Sequence, residues 1–129
     1  RTLAQGPHTF KLCHRVDSPQ PPRSAVNHVI WIVQTTLPGE WNEAIVGAWS
    51  AALVEKGLAA CVQRDLITSV YSWEGATQSS EEWRLEIKTS AENKEGLIEA
   101  ILADHPYDTP QIAAWEASST SGYSYWVQG

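Results

Sequence analysis

Two alternating runs between residues 58 and 89 constrain this chain more than anything else in it. They are Thr68-Ser69-Val70-Tyr71-Ser72-Trp73-Glu74 and Glu82-Trp83-Arg84-Leu85-Glu86-Ile87-Lys88-Thr89. In the second run Trp83, Leu85, Ile87 and Thr89 point one way, and Arg84, Glu86 and Lys88 point the other. A two-residue period makes a ribbon with two chemically different faces. The reading is one long β-hairpin that turns over residues 75–80. A bulge or bend is expected at Gln63-Arg64-Asp65. A long ribbon with tryptophans and charges on a free edge invites another strand to pair with it. Identical chains are the expected partner.

The rest of the chain is read around that ribbon. Residues 29–33, Val-Ile-Trp-Ile-Val, form a buried central strand that Gln34-Thr35-Thr36 ends. Residues 40–56 form a helix with an apolar stripe of Ile45, Ala48, Trp49, Ala52 and Leu53. Gly57 stops it in a left-handed conformation. Thr89-Ser90-Ala91-Glu92 has capping-box spacing and opens a second helix, buried through Leu97, Ile98, Ile101 and Leu102. Pro106 limits that helix to about His105. A last strand spans residues 110–117. Residues 123–127 form an aromatic helical turn that docks onto something.

Strand, helix, strand, strand, helix, strand is the order of an α+β, ferredoxin-like split βαβ sandwich. Two helices cover one face of an antiparallel sheet. The opposite face has no helix left for it, and Trp73, Tyr71 and Trp83 cannot all lie under the helices. Oligomerisation resolves that exposure.

Charge and composition narrow the function. The chain of 129 residues carries a net charge of −6, which disfavours nucleic acid as a partner. No apolar run is long enough to insert in a membrane. Residues 1–27 read as a Pro-rich N-terminal extension, with the domain occupying residues 28–129. The extension holds Arg1, Lys11, Arg15 and Arg23 against Asp17, so the acidic excess lies in the domain. Thr9-Phe10-Lys11-Leu12-Cys13 is a candidate added strand. An acid-poor stretch with Arg and Ser fits the remnant of an organelle-targeting leader, and fits a natural extension equally. Cys13 and Cys61 are too few for a disulfide framework, which favours a reducing compartment such as the cytoplasm. Cys61, in Leu-Ala-Ala-Cys-Val, reads as a buried inert thiol.

Leu58-Ala59-Ala60-Cys61-Val62, the run from Thr68 to Gly75, Ile87-Lys88-Thr89, His105-Pro106-Tyr107-Asp108-Thr109-Pro110 and Tyr125-Trp126 together resemble the CutA1 family, the divalent-cation tolerance proteins. The resemblance implies a homotrimer whose long hairpins pair between subunits. It implies a role in divalent-cation tolerance, with copper among the ions, and an architecture similar to that of the PII signalling trimers. The family's copper pattern joins a cysteine at the end of the first strand to a histidine pair before Pro-Tyr. Here those positions hold Gln34 and Asp104-His105. The metal candidates are therefore His105 and Asp108, as weak ligands, with Asp104 beside them. His105 also reads as a helix-end residue serving free carbonyls.

A second candidate site is a cleft between subunits. Lys88 would supply one cation, and Trp73, Tyr107 and Trp126 flat apolar walls, for a small anionic ligand. A salt bridge from Lys88 to Glu86 or Glu82 is the competing use of that charge. No phosphate loop, nucleophile elbow, H-E-x-x-H or CxxC is present, so no enzyme and no required cofactor is expected. A scaffold that only assembles or docks a partner is the third reading.

Overall fold

The structure, a computed structural model, describes residues 28–129. Expectations for residues 1–27, including the strand at residues 9–13, lie outside the described residues. The elements are β1 (His28–Pro38), α1 (Glu43–Glu55), β2 (Cys61–Trp73), β3 (Ala76–Thr89), α2 (Lys94–Asp104), β4 (Ile112–Ser119) and α3 (Ser121–Gln128). The sheet order is β2-β3-β1-β4, and every neighbouring pair is antiparallel. α1 carries the chain across β3 to β2, and α2 carries it across β1 to β4. This is the expected ferredoxin-like arrangement.

The ribbon is longer and more regular than expected. Its register runs unbroken from Cys61 opposite Lys88 to Trp73 opposite Ala76. The bulge expected at residues 63–65 is absent. Cross-strand polar pairs hold the regular register there instead: Arg84 bonds Asp65 at 2.9 Å, and Lys88 Nζ donates to the Gln63 amide oxygen. The turn is also shorter than expected. Only Glu74 and Gly75 lie outside the strands, at φ 51° and 79°. Both values are left-handed, as a two-residue type I′ turn requires. Residues 76–80, expected in the turn, are strand.

β1 continues past Gln34-Thr35-Thr36 to Pro38. Threonines are β-branched and suit a strand. Thr35 and Thr36 are buried opposite Leu85 and Arg84.

α1 begins at Glu43 rather than Glu40, because Asn42 Oδ1 accepts the Ile45 N–H at 2.9 Å and caps it. Leu53 is buried and Trp49 packs half-buried on the core, as expected, but the first turns bury Val46 and Ser50 in place of Ile45 and Ala48. Ile45 and Ala48 face outward. The misreading turns on Ser50. Its hydroxyl donates to the Val46 carbonyl at 2.8 Å, so a polar residue is satisfied inside the core stripe. Gly57 does adopt the left-handed conformation, at φ 76°.

The capping box at residues 89–92 does not form. Thr89 Oγ1 donates to the Leu58 carbonyl at 2.7 Å instead, tying β3 to the loop after α1. Ser90 Oγ accepts the Asn93 N–H at 3.2 Å, one turn before α2 starts at Lys94. Leu97 and Ile101 are buried as expected, whereas Leu102 is exposed. Gly96 lets α2 approach that same loop, since a Cβ there would stand 3.3 Å from Leu58 Cδ2.

The main core lies between the sheet and the helices α1 and α2. Val33, Leu37, Leu85 and Ile87 meet Val46, Leu53, Leu97 and Ile101 there. β4 lies two residues later than expected. The terminal aromatic segment is a two-turn helix, α3, capped where Thr120 Oγ1 accepts the Tyr123 N–H at 3.4 Å. It docks on the opposite sheet face, packing Trp126 and Val127 against Ile30, Ala60 and Cys61. The face expected to be bare is thus covered at one end.

Candidate functional site

The last rung between β1 and β3 sets Pro38 opposite Glu82. Beyond it the ribbon continues as two strands, with no third among the described residues. Val70 is 69% exposed, Trp73 60% and Tyr71 43%. Tyr71 and Trp73 alternate with Val70, so both faces of the protrusion carry apolar surface.

The open sheet face has three zones. α3 covers the end beside Cys61. A polar row fills the middle: Gln34 Nε2 donates to Glu86 at 3.3 Å, Gln111 Nε2 donates to Gln34 at 3.1 Å, and Arg84 pairs with Asp65. The aromatic protrusion forms the far end. Lys88 sits at the α3 end of the row, and its partner is the neutral amide of Gln63 rather than the expected Glu86 or Glu82.

His105 follows α2 and is locked onto the end of β1. Its Nε2 lies 2.7 Å from the Thr36 carbonyl, so that nitrogen carries the proton and donates. The Thr35 hydroxyl lies 3.2 Å from the same nitrogen. Nδ1 accepts the Tyr107 backbone N–H at 3.1 Å. Both nitrogens of the neutral ring are therefore engaged within the chain. Trp49 stands edge-on to the ring, with centroids 6.3 Å apart.

Burial pushes His105 below its ordinary 6.5, although the Thr36 carbonyl and Glu82 pull the other way. The native state thus holds its proton less tightly than the unfolded chain does. Stability is full above about 6.5 and falls as the pH drops through the folded value. His105→Gln, measured by urea unfolding between pH 7.5 and 5, is expected to be less stable at the upper end and to lose less on acidification. Parallel curves for the two proteins would contradict this lock.

Tyr107 continues the connection. Its hydroxyl donates to Glu82 Oε2 at 3.1 Å, at the base of the protrusion. Burial, and then Glu82, push its phenol well above the ordinary range. Asp104 and Asp108 are exposed, and the Asp104 backbone carbonyl accepts Trp49 Nε1 at 3.5 Å. Among the described residues no three His, Cys, Asp or Glu side chains are grouped to hold a metal ion.

The four cleft residues do not meet within one chain. Tyr107 contacts Glu82, six residues along β3 from Lys88. Trp73 lies opposite Ala76, six residues the other way. Each interval is about 20 Å of strand. Trp126 is 3% exposed, in the cluster around Cys61 near Lys88. Only another subunit could bring the ends of this row together. The sequence marked Glu82 only as an alternative partner for Lys88, and gave Gln63 and Thr36 no role in a site. Alternation does place Glu82 on the Arg84 face, but its partner follows from the tertiary register.

A ferredoxin-like sandwich whose β2-β3 ribbon protrudes past the rest of its sheet defines the structural class of this chain. Within that class, the profile of the CutA1 divalent ion tolerance protein family matches residues 31–129, and the chain belongs to that family. Protein CutA, chloroplastic, of Arabidopsis thaliana is 41% identical over 63 residues, covering 48% of this chain and 35% of the relative. The divalent-cation tolerance protein CutA of Escherichia coli is 36% identical over 45 residues, covering 35% and 40% respectively. These matches span well under half of either relative. The solved structures match over more of their length. CutA from Synechococcus elongatus gives a TM-score of 0.72 at 29% identity, covering 79% of this chain and 89% of the other. The PII-like protein CutA from Nostoc gives 0.68 at 34%, covering 76% and 93%.

Proposed function

We propose that this chain works as a non-catalytic homotrimer in divalent-cation tolerance. The observation that carries the assembly is the open sheet. β2 and β4 lie at its two ends, so each has one edge without a partner strand among the described residues. Pairing the β2 edge of one copy with the β4 edge of the next is a heterologous contact, and it closes edges only if the copies form a ring. The protruding ribbon then lies on the neighbouring subunit and buries Tyr71 and Trp73.

Ion binding in this reading is weak. A copper ion reaches His105 Nδ1 only by displacing the Tyr107 N–H, with Asp108 as a carboxylate partner. Calorimetry with Cu(II) tests it. The expected result is a weak binding heat that His105→Ala reduces, with circular dichroism confirming that the variant is folded. Identical titrations would remove the site.

The structural likeness to a PII-like protein supports a second reading, in which a small anion binds between subunits at Lys88. Lys88 has a neutral partner, and among the described residues no carboxylate pairs with it at bonding distance. A thermal-shift screen of nucleotides and metabolites is expected to give a hit that Lys88→Ala abolishes. No hit, with the variant equally silent, would leave the tolerance reading alone. No helix among the described residues is long and apolar enough to cross a membrane.

A further inference from the structure

The ribbon has a second apolar face. Tyr71 and Trp73 share one side of β2, and Leu66 and Val70 share the other. Leu66 pairs with Trp83, and Trp83 with Leu37, whose side chain lies in the core beneath the helices. Leu66 and Val70 therefore continue the helix side of the sheet beyond the helices. Leu66 is 48% exposed and Val70 69%. Trp83 and Trp41 are half-buried at the same place, joined where Trp83 Nε1 donates to the Trp41 carbonyl.

α1 turns this surface into a corner. Arg64, two residues before Leu66 on the same side of β2, bonds Glu43 in the first turn of α1 at 2.6 Å. The helix thus starts above Arg64. Past it, Leu66 and Trp83 form a floor, and the start of α1 from Trp41 to Glu43 forms one wall. Val70 lies about 13 Å further along the strand. An exposed apolar ledge of this kind, rimmed by polar residues, marks a surface for apolar side chains of a partner.

Charge decides which partner. Glu81 lies opposite Thr68, so its side chain shares the face of Leu66 and Val70 and sits between them. Glu40 follows Gly39, whose turn presses against the Glu81 backbone, and Glu74 closes the ribbon tip. All three acids are exposed, and among the described residues none pairs with a base at bonding distance. Arg64, the base on this face of the ribbon, is taken by Glu43. Such a rim repels nucleic acid and anionic lipid. A second copy would set the same acids against each other. The complementary occupant is a polypeptide segment that presents apolar side chains between lysines or arginines.

We propose that the ledge from Leu66 to Val70 docks a basic, apolar segment of a partner protein, whose apolar side chains seat on Leu66, Trp83 and Val70 and whose bases meet Glu81. The inference rests on the proposed trimer in one respect: there the ribbon lies on its neighbour through Tyr71 and Trp73, which leaves this side outward.

The test uses the full chain. A phage-displayed library of short random peptides is selected on it, and the enriched sequence is synthesised and measured by fluorescence anisotropy. The expected consensus sets aromatic or aliphatic residues among lysines or arginines. Leu66→Lys should weaken that peptide roughly tenfold or more. Leu102→Lys makes the same change of charge on α2, at a side chain 54% exposed, and should alter binding by no more than about twofold. Glu81→Gln should weaken binding roughly threefold and flatten its dependence on salt. Circular dichroism checks that the variants are folded. Equal effects of Leu66→Lys and Leu102→Lys, a consensus without bases, or no enriched sequence would each overturn the proposal. Sedimentation separates it from the assembly. Leu66→Lys is expected to keep the mass of the unaltered protein, and a lower mass would place the ledge between copies and overturn the docking surface. An unaltered chain that is monomeric but binds the peptide through Leu66 would refute the trimer and leave the docking surface standing.

Discussion

Leu85→Ala is expected to lower the stability of the fold by about 3 kcal/mol. Leu85 is fully buried at the centre of the sheet, paired with Thr35 on β1 and Arg64 on β2. Its side chain points into the core beneath α1 and α2, beside Val33, Leu37 and Ile87. Three sheet neighbours and two helices fix that wall, so little collapse can refill the space. Urea unfolding at one fixed protein concentration measures the loss, because association shifts the apparent midpoint. A cost under about 1 kcal/mol would mean that the core closes over the gap and is looser than this packing implies.

Gly39→Ala has the second large effect, and its cause is steric. Gly39 turns the chain between β1 and α1, directly against β3. A Cβ there would stand 2.6 Å from the Glu81 carbonyl carbon and 2.9 Å from Glu81 Cβ, and closer still to the carbonyl oxygen. Backbone cannot swing aside as a flexible side chain can. The turn would have to lift away from β3, straining the bond from Trp83 Nε1 to the Trp41 carbonyl at 2.9 Å. A loss of about 2 kcal/mol is expected. Gly47→Ala is the internal control. Its added Cβ would stand 3.8 Å from Arg64 Nη2, an ordinary contact, and alanine inside α1 should stabilise by up to about 1 kcal/mol. Equal losses at both glycines would contradict the steric account.

Where periodicity alone decides, the sequence was readable. The alternation from Trp83 to Thr89 placed Leu85 and Ile87 inward and Arg84, Glu86 and Lys88 on the open face, as found. The order of strands and helices followed from the same patterns. Errors entered where a polar side chain bonds its own backbone or a distant one. Ser50 hides in the core by bonding the Val46 carbonyl, and that moved the first turns of the α1 stripe. Thr89 serves Leu58 and not a helix cap, so α2 starts later. The regularity of residues 63–65 comes from their partners across the ribbon, which local propensity does not contain.

The candidate site was legible only in its parts. His105 and Tyr107 stood out through their motif, but the Thr36 carbonyl and Glu82 were invisible as their partners. Those contacts exist because β1 pairs with β3 in one register and α2 returns to the end of β1. The cleft residues show the same limit at larger scale. Trp73 and Lys88 lie far apart on one ribbon and Tyr107 bonds its base at Glu82, so within one chain they form no cleft.

The protruding ribbon connects the two levels. Its base is tied to the helix layer through Glu82, Tyr107 and His105, while its tip exposes Tyr71 and Trp73. Such a ribbon is marginal in water on its own. Sedimentation equilibrium of the full chain at micromolar dilution asks directly whether copies supply the missing cover. Threefold association of the 14.3 kDa chain predicts a single species of three chain masses. One stable, well-folded chain mass under the same conditions would contradict it.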